Sequence, residues 1–172
     1  YKTPMDIEWT LANGRFAIDN NNLVVNNHAL IDYEVNSMHQ IRMFTVDNKG
    51  AYYEKDFIIQ VLNENDLPVD IQLSDTIFDG VLPIGSIISS ITATDQDLNE
   101  QFSYSLVSGS GDDDNNIFLI NGQNLALGMY FQNTDSVFNI RLRVTDSGNA
   151  TYEEAFVLHN ISYNNNSVTD PE

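Results

Sequence analysis

The chain has 172 residues, is 42% hydrophobic, and carries seven Lys+Arg against 25 Asp+Glu for a formal net charge of −18, with no cysteine. The length allows one or two domains and the apolar share supports a core, which excludes general disorder. The charge excludes nucleic acid as a partner, because a polyanion would be repelled, and it suits a binder of divalent cations or a protein living in salt water.

No apolar run approaches the roughly 20 residues of a membrane span, so the chain is not expected to be membrane-spanning, and no signal peptide is evident. The sequence opens inside a domain pattern, so missing targeting signals say nothing about a parent protein. Without cysteine, a secreted chain must be held by its core, by metal, or by both.

In chain order, Phe16-x-Ile18 and Leu23 open an apolar pattern, followed by Ile31-Asp32-Tyr33-Glu34, a run from Ile41 closed by the turn Asp47-Asn48-Lys49-Gly50, and an aromatic and β-branched run at 56–61. An acidic, proline-ended stretch comes next, Asn63-Glu64-Asn65-Asp66-Leu67-Pro68. Beyond it, Ile87, Ser89, Ile91 and Ala93 alternate with the residues between them, as do Phe102, Tyr104 and Leu106, and then Phe138, Ile140, Leu142 and Val144. A period of two puts one face of a strand inside. The segment 152–158 has strand composition, and Gly109-Ser110-Gly111-Asp112, Asn121-Gly122 and Asp146-Ser147-Gly148 are turn clusters. No window shows a 3.6-residue period.

The pattern occurs twice. Ile41-Arg42-Met43 with Asp47 matches Ile140-Arg141-Leu142 with Asp146, and Phe57 matches Phe156, all at a spacing of 99 residues; Phe16, Ile18 and Leu23 match Phe118, Ile120 and Leu125 at 102. A repeat this long is a whole domain rather than a solenoid unit. The expectation is all-β: tandem antiparallel Greek-key β-sandwiches of about seven strands in about 100 residues each. Residues 1–66 form the later part of repeat 1, 67–165 a complete repeat 2, and 166–172 a linker. The first strands of repeat 1 would precede Tyr1. They belong either to a longer polypeptide, which is the expectation, or to a neighbouring chain, since an open half-sandwich exposes strand edges and residues such as Phe16, Ile18 and Ile41.

Several of these phrases resemble one family. Ile31-Asp32-Tyr33-Glu34 is similar to the cadherin LDYE motif, and Asn63 to Pro68 to the linker DxNDNxP. Ala93-Thr94-Asp95-Gln96-Asp97 is similar to ATDxD, and Val144-Thr145-Asp146-Ser147-Gly148 to the VxDxG strand end. The four occur in family order over nearly the whole chain. Asp70-Ile71-Gln72-Leu73-Ser74, Tyr104 to Gly109 and Arg143 to Asp146 look more like bacterial cadherin-like repeats, which occur in long surface or secreted adhesins.

The resemblance implies an immunoglobulin-like sandwich and a Ca²⁺-bound joint between repeats. Calcium takes six to eight oxygens. Asp32 and Glu34 would close the end of repeat 1, and Asn65 and Asp66 sit in the joint. Asp95, Asp97 and Asp146 would cap repeat 2, while Glu64 and Leu67 offer mainly backbone carbonyls. The six carboxylates would be neutralised by about three Ca²⁺ ions. Asn63 stands where Asp is usual, and the linker is one residue shorter before Pro68 than the familiar form. At the other end of repeat 2, Phe131-Gln132-Asn133 replaces Asp32-Tyr33-Glu34, and Ser162-Tyr163-Asn164-Asn165 replaces the acidic linker. No calcium is expected there, and the exit from repeat 2 is expected to be flexible.

The bland readings stand beside these. Most charge runs are solvated surface. Asp112-Asp113-Asp114 is expected to be a solvated hairpin loop. Asp47 would find its partners before Tyr1, and Asp79 is not expected to ligate. His28, His39 and His159 have neither metal nor triad spacing and are taken for ordinary surface or strand residues, and Trp9 for core rather than a sugar platform. Asn149-Ala150-Thr151 and Asn160-Ile161-Ser162 match the glycosylation pattern as an Asn-rich chain does by chance. No phosphate loop or nucleophile elbow occurs, and no enzyme is expected. The functional expectation is a calcium-binding extracellular or cell-surface module. In it Ca²⁺ stiffens the junction between neighbouring repeats, and the adhesion ligand is homophilic or a glycan. The alternatives are a carbohydrate-binding module with Tyr130, Phe131 and Tyr152 as its aromatics, and a passive spacer attached to a secreted enzyme.

Overall fold

The computed structural model describes residues 14–131 and 136–161, and the chain divides into two compact units, Tyr1–Glu64 and Asn65–Glu172. Trp9, Gln132, Asn133, Ser162 to Asn165 and the expected linker 166–172 lie outside the described residues. Strands dominate, and no helix among the described residues is long and apolar enough to cross a membrane.

Unit 1 contains β1 (Phe16–Asp19), β2 (Asn22–Val25), β3 (Met38–Val46) and β4 (Tyr52–Gln60), with a short 3-10 turn at His28–Leu30. β1 and β2 form one hairpin, and β3 and β4 another. The β1–β2 reversal is the two-residue loop Asn20-Asn21, with φ of 48° and 70°. Asparagine tolerates the left-handed region that such tight hairpins demand. Phe16 and Ile41 are buried, with Leu23, Ile31, Met43 and Ile59 against them.

Unit 2 is the fuller sandwich. Its strands are β5 (Asp70–Leu73), β6 (Ile77–Phe78), β7 (Ile87–Thr94), β8 (Ser103–Leu106), β9 (Phe118–Asn121), β10 (Asn124–Leu127), β11 (Val137–Thr145) and β12 (Thr151–Asn160). They form two four-stranded sheets in the orders β5-β7-β10-β9 and β6-β12-β11-β8. The leading segment is shared between the sheets: β5 pairs antiparallel with β7 and β6 parallel with β12. This gives eight strand segments where seven strands are expected.

Alternation explains the core. Phe138, Ile140, Leu142 and Val144 of β11 are buried, while Arg141 and Arg143 face outward and share Glu153 at 3.0 and 2.6 Å. Ile71, Ile91, Leu125, Leu127 and Leu158 close the core from both sheets. Ile87 departs from the alternating pattern, because Leu125 pairs with Ser89 but Ala126 pairs with Ile87, leaving Ile88 as a bulge. One extra residue reverses the facing of those beyond it. Ile88 therefore packs on the core and Ile87 is 58% exposed. Ser89 is buried but satisfied, bonding Ser74 Oγ at 3.2 Å and accepting the Asp75 N–H at 3.0 Å.

The internal repeat extends to strand pairing. Ile41 faces Phe57 as Ile140 faces Phe156, and Ile18 faces Leu23 as Ile120 faces Leu125. Strand β4 is nonetheless largely exposed, and Val25 is 55% exposed where its counterpart Leu127 is 1%. Among the described residues, unit 1 has no counterpart of β5 to β8, the strands that cover the matching surface in unit 2.

His39 is a strand residue of β3, as expected, and it is buried. It occupies the position of Phe138, and its ring meets Phe16 edge-on at 5.7 Å as Phe138 meets Phe118 at 5.8 Å. Its Nδ1 lies 3.3 Å from the Asn36 amide, and its Nε2 is buried without a hydrogen-bond partner. Burial, then the charge of Arg15, holds its pKa below the ordinary 6.5. A group kept neutral in this way contributes stability above its unfolded pKa and loses it as pH falls through the folded value. Taking the chain from pH 7.5 to 5.5 should therefore destabilise it more than the His39→Phe variant. Equal losses in urea unfolding midpoint would show that His39 carries no acid sensitivity.

Candidate metal centre

Three segments of unit 2 meet at one end of the sandwich. The first is the lead-in to β5. Pro68 is fully buried and the Val69 N–H donates to Thr94 O at 2.9 Å, which fixes Asn65 to Leu67 beside the end of β7. The second is the turn after β7, where the Asp97 N–H donates to Asp95 Oδ1 at 3.0 Å, the side-chain-to-backbone bond typical of aspartate in turns. The third is the β11–β12 hairpin. There Asp146 Oδ1 accepts the Ala150 N–H at 2.7 Å, and Asn149 takes a φ of 71°.

Hydrogen bonds join the three. The Asp66 N–H donates to Asp97 Oδ2 at 2.7 Å, and Asn65 Nδ2 donates to Asp146 Oδ2 at 2.9 Å. Gly148 is required by this packing, since a Cβ there would overlap the Asn65 carboxamide.

The charges are then left in a demanding position. Asp97 and Asp146 are 9% and 6% exposed. A carboxylate oxygen of Asp66 lies within 4.8 Å of one of Asp97, a separation at which two unit charges repel by about 3–4 kcal/mol at an effective dielectric near 20. Asp95 Oδ2 is buried and accepts no hydrogen bond, a deficit of about 1–3 kcal/mol for a polar group and more for a charged one. Every side-chain donor atom of the cradle is a carboxylate or amide oxygen, the set preferred by hard cations. The arrangement can hold such an ion.

Asp32, Glu34, Asn63 and Glu64 belong to unit 1. Asp32 Oδ1 accepts the Val35 N–H at 3.1 Å and its carbonyl accepts the Asn36 N–H at 3.0 Å, so Glu34 sits half-buried in a closed turn leading to β3. Asn63, Glu64 and Leu67 are exposed. Asp47 braces its own hairpin, accepting the N–H groups of Lys49 at 2.8 Å and Ala51 at 2.9 Å.

Two readings from sequence are corrected. Residues 112–114 do not close a hairpin, because β8 and β9 lie in different sheets. Asp112 accepts the Gly109 N–H at 3.0 Å and Asp114 the Asn139 N–H at 2.7 Å, so two of the three carboxylates tie the crossover down. Tyr130, Phe131 and Tyr152 do not form an exposed strip. Tyr130 is 74% exposed, but Phe131 packs on Phe138 at 4.8 Å and Tyr152 against the same core. Both oxygens of Glu100 contact Ser147, one residue beyond Asp146, a role that nothing in the sequence marks. No local motif marks a pair 47 positions apart.

No family model matches the chain, and no curated protein matches it in sequence. Solved structures match in shape. Human protocadherin-24 EC1-2 aligns at 19% identity and a TM-score of 0.67, covering 90% of this chain and 79% of that one. Protocadherin gammaB7 EC3-6, a cis-dimer structure, aligns at 19% identity and 0.62, over 90% of this chain and 39% of the other. Extracellular cadherin domains 3–6 of protocadherin gamma B2 align at 14% identity and 0.63, over 88% and 38%. The fold is that of cadherin domains. At these identities the likeness carries architecture alone, and this chain spans well under half the length of the latter two structures.

The cadherin-like repeat 2 thus has an acidic end whose geometry depends on Asn65 lying flat against Gly148. Gly148→Ala should displace the Asn65 side chain and remove its bond to Asp146, a loss of about 1.5–3 kcal/mol for a hydrogen bond to a charged group. Thermal unfolding, with the Asn65 side-chain amide followed by NMR, checks it; an unchanged amide resonance and melting point would contradict the packing.

Proposed function

We propose that this chain is a calcium-binding structural and adhesive module of a larger extracellular protein, in which Ca²⁺ stiffens the junction between two cadherin-like repeats. The observation that carries this reading is the buried Asp95 Oδ2 without a donor, next to the buried carboxylates of Asp97 and Asp146. A cation supplies what that oxygen lacks and cancels the repulsion between Asp66 and Asp97. Asp66, Asp95, Asp97 and Asp146 would supply carboxylates and Asn65 an amide oxygen. The motif order assigns Asp32 and Glu34 of repeat 1 to the same ion set, with Asn63, Glu64 and Leu67 contributing from the connecting stretch.

Calcium is preferred to magnesium because the donors come from three separate segments, and Mg²⁺ demands a stricter octahedron. An ion held by both repeats favours arrangements in which both contribute, by the difference in its affinity for them. The role is mechanical and non-enzymatic, the location extracellular, and the partners are neighbouring repeats and an adhesion ligand. The carbohydrate reading loses its main support with Phe131 and Tyr152 turned toward the core.

At a free calcium concentration 100 times the dissociation constant, the bound form gains about 2.7 kcal/mol. Calcium should therefore raise the melting temperature of the whole chain, and chelation should broaden its size distribution in scattering. Asp97→Asn should weaken calcium binding by about tenfold or more, equal to about 1.4 kcal/mol, in titration calorimetry. A melting temperature and scattering profile both indifferent to calcium and chelator would sink the proposal.

A further inference from the structure

Building on the calcium reading of the acidic cradle, we propose that Glu100 is its positioning residue, a carboxylate that locks two ligand-bearing loops together without itself binding the ion. Glu100 follows the Asp95–Asp97 turn in the β7–β8 connection, after the chain reverses at Asn99 with a φ of 63°. Its Oε2 accepts the Ser147 N–H at 3.1 Å. The Ser147 hydroxyl lies 3.0 Å from Oε1 and 2.8 Å from Oε2, donating its one proton to this carboxylate.

The two loops have different origins. The Asp95–Asp97 turn leaves a strand of the β5-β7-β10-β9 sheet, whereas Asp146 and Ser147 sit on the β11–β12 hairpin of the other sheet. The Glu100–Ser147 contact joins the β7–β8 connection to the β11–β12 hairpin just beyond the Ser103–Thr145 pair of β8 and β11. With the Asp66–Asp97 and Asn65–Asp146 bonds it closes a ring of contacts around the cradle. Besides it, the lead-in bonds and the Ser103–Thr145 pair, with the Ser103 hydroxyl 3.4 Å from Thr145 O, join the two segments. Both Glu100 oxygens already face donors on one residue, which suits a clamp better than a ligand.

Partners that orient metal ligands typically contribute 10–100-fold to affinity. Calorimetric calcium titration of the whole chain should show Glu100→Ala weakening binding by about tenfold. Ser147→Ala, which alters no charge, should weaken it by roughly threefold, since the backbone N–H bond survives. Glu100→Gln, which keeps an acceptor but loses the charge, should recover most of the affinity. The double variant Glu100→Ala/Ser147→Ala should bind no more weakly than Glu100→Ala. In chelator, amide exchange across 146–150 should quicken in Glu100→Ala.

Ser147→Ala binding like the parent while Glu100→Ala and Glu100→Gln fall equally would mean that Glu100 acts by charge or as a ligand, overturning the clamp. Unaltered binding in all variants would overturn it too. A parent chain that binds no calcium would remove the underlying reading instead, and is distinguishable from either result.

Discussion

A carboxylate taken out of water must gain a donor or a cation, and the acidic end of repeat 2 is built around that requirement. Asp146 meets it with the Ala150 and Asn65 donors, and Asp97 accepts from the Asp66 backbone. Asp95 meets it on one oxygen only. Full satisfaction would make the cluster a rigid turn system and nothing more; the shortfall at Asp95 is what gives it chemical appetite. The same residue type would perform both tasks under the proposed function, so the distinction lies in counting donors against oxygens rather than in the presence of acid.

Much of the architecture was legible in the sequence because the core obeys a two-residue period. Strand β11 shows this most clearly, with four apolar side chains inside and two arginines outside. The spacings of 99 and 102 residues survive as equivalent strand pairs, so repetition in the sequence reflects repetition of hydrogen-bond register. Ile87 was misplaced because a bulge is a property of two strands together, and one strand's alternation cannot reveal it.

The acidic residues were legible through their motif order, but the forces that hold them were not. Asn65 against Gly148 and Glu100 against Ser147 join segments far apart in the chain, and no local pattern encodes such pairs. His39 was hidden for a different reason. Its position is defined by its counterpart Phe138, and a histidine in a phenylalanine site looks like any strand residue until the ring contacts are seen.

Strand β6 runs parallel to β12, pairing Ile77 with His159 and Phe78 with Asn160. Backbone bonds from His159 N–H to Thr76 O at 2.8 Å and from Ile161 N–H to Phe78 O at 3.0 Å fasten the opening segment of repeat 2 to its closing strand. A pull across the repeat would draw these neighbours past each other lengthwise. Their bonds would be loaded in shear together instead of being peeled apart in succession. Resistance to forced extension is governed by the rate of unfolding rather than by equilibrium stability, and here it begins at a two-residue contact whose Phe78 is packed in the core while Ile77 is half exposed.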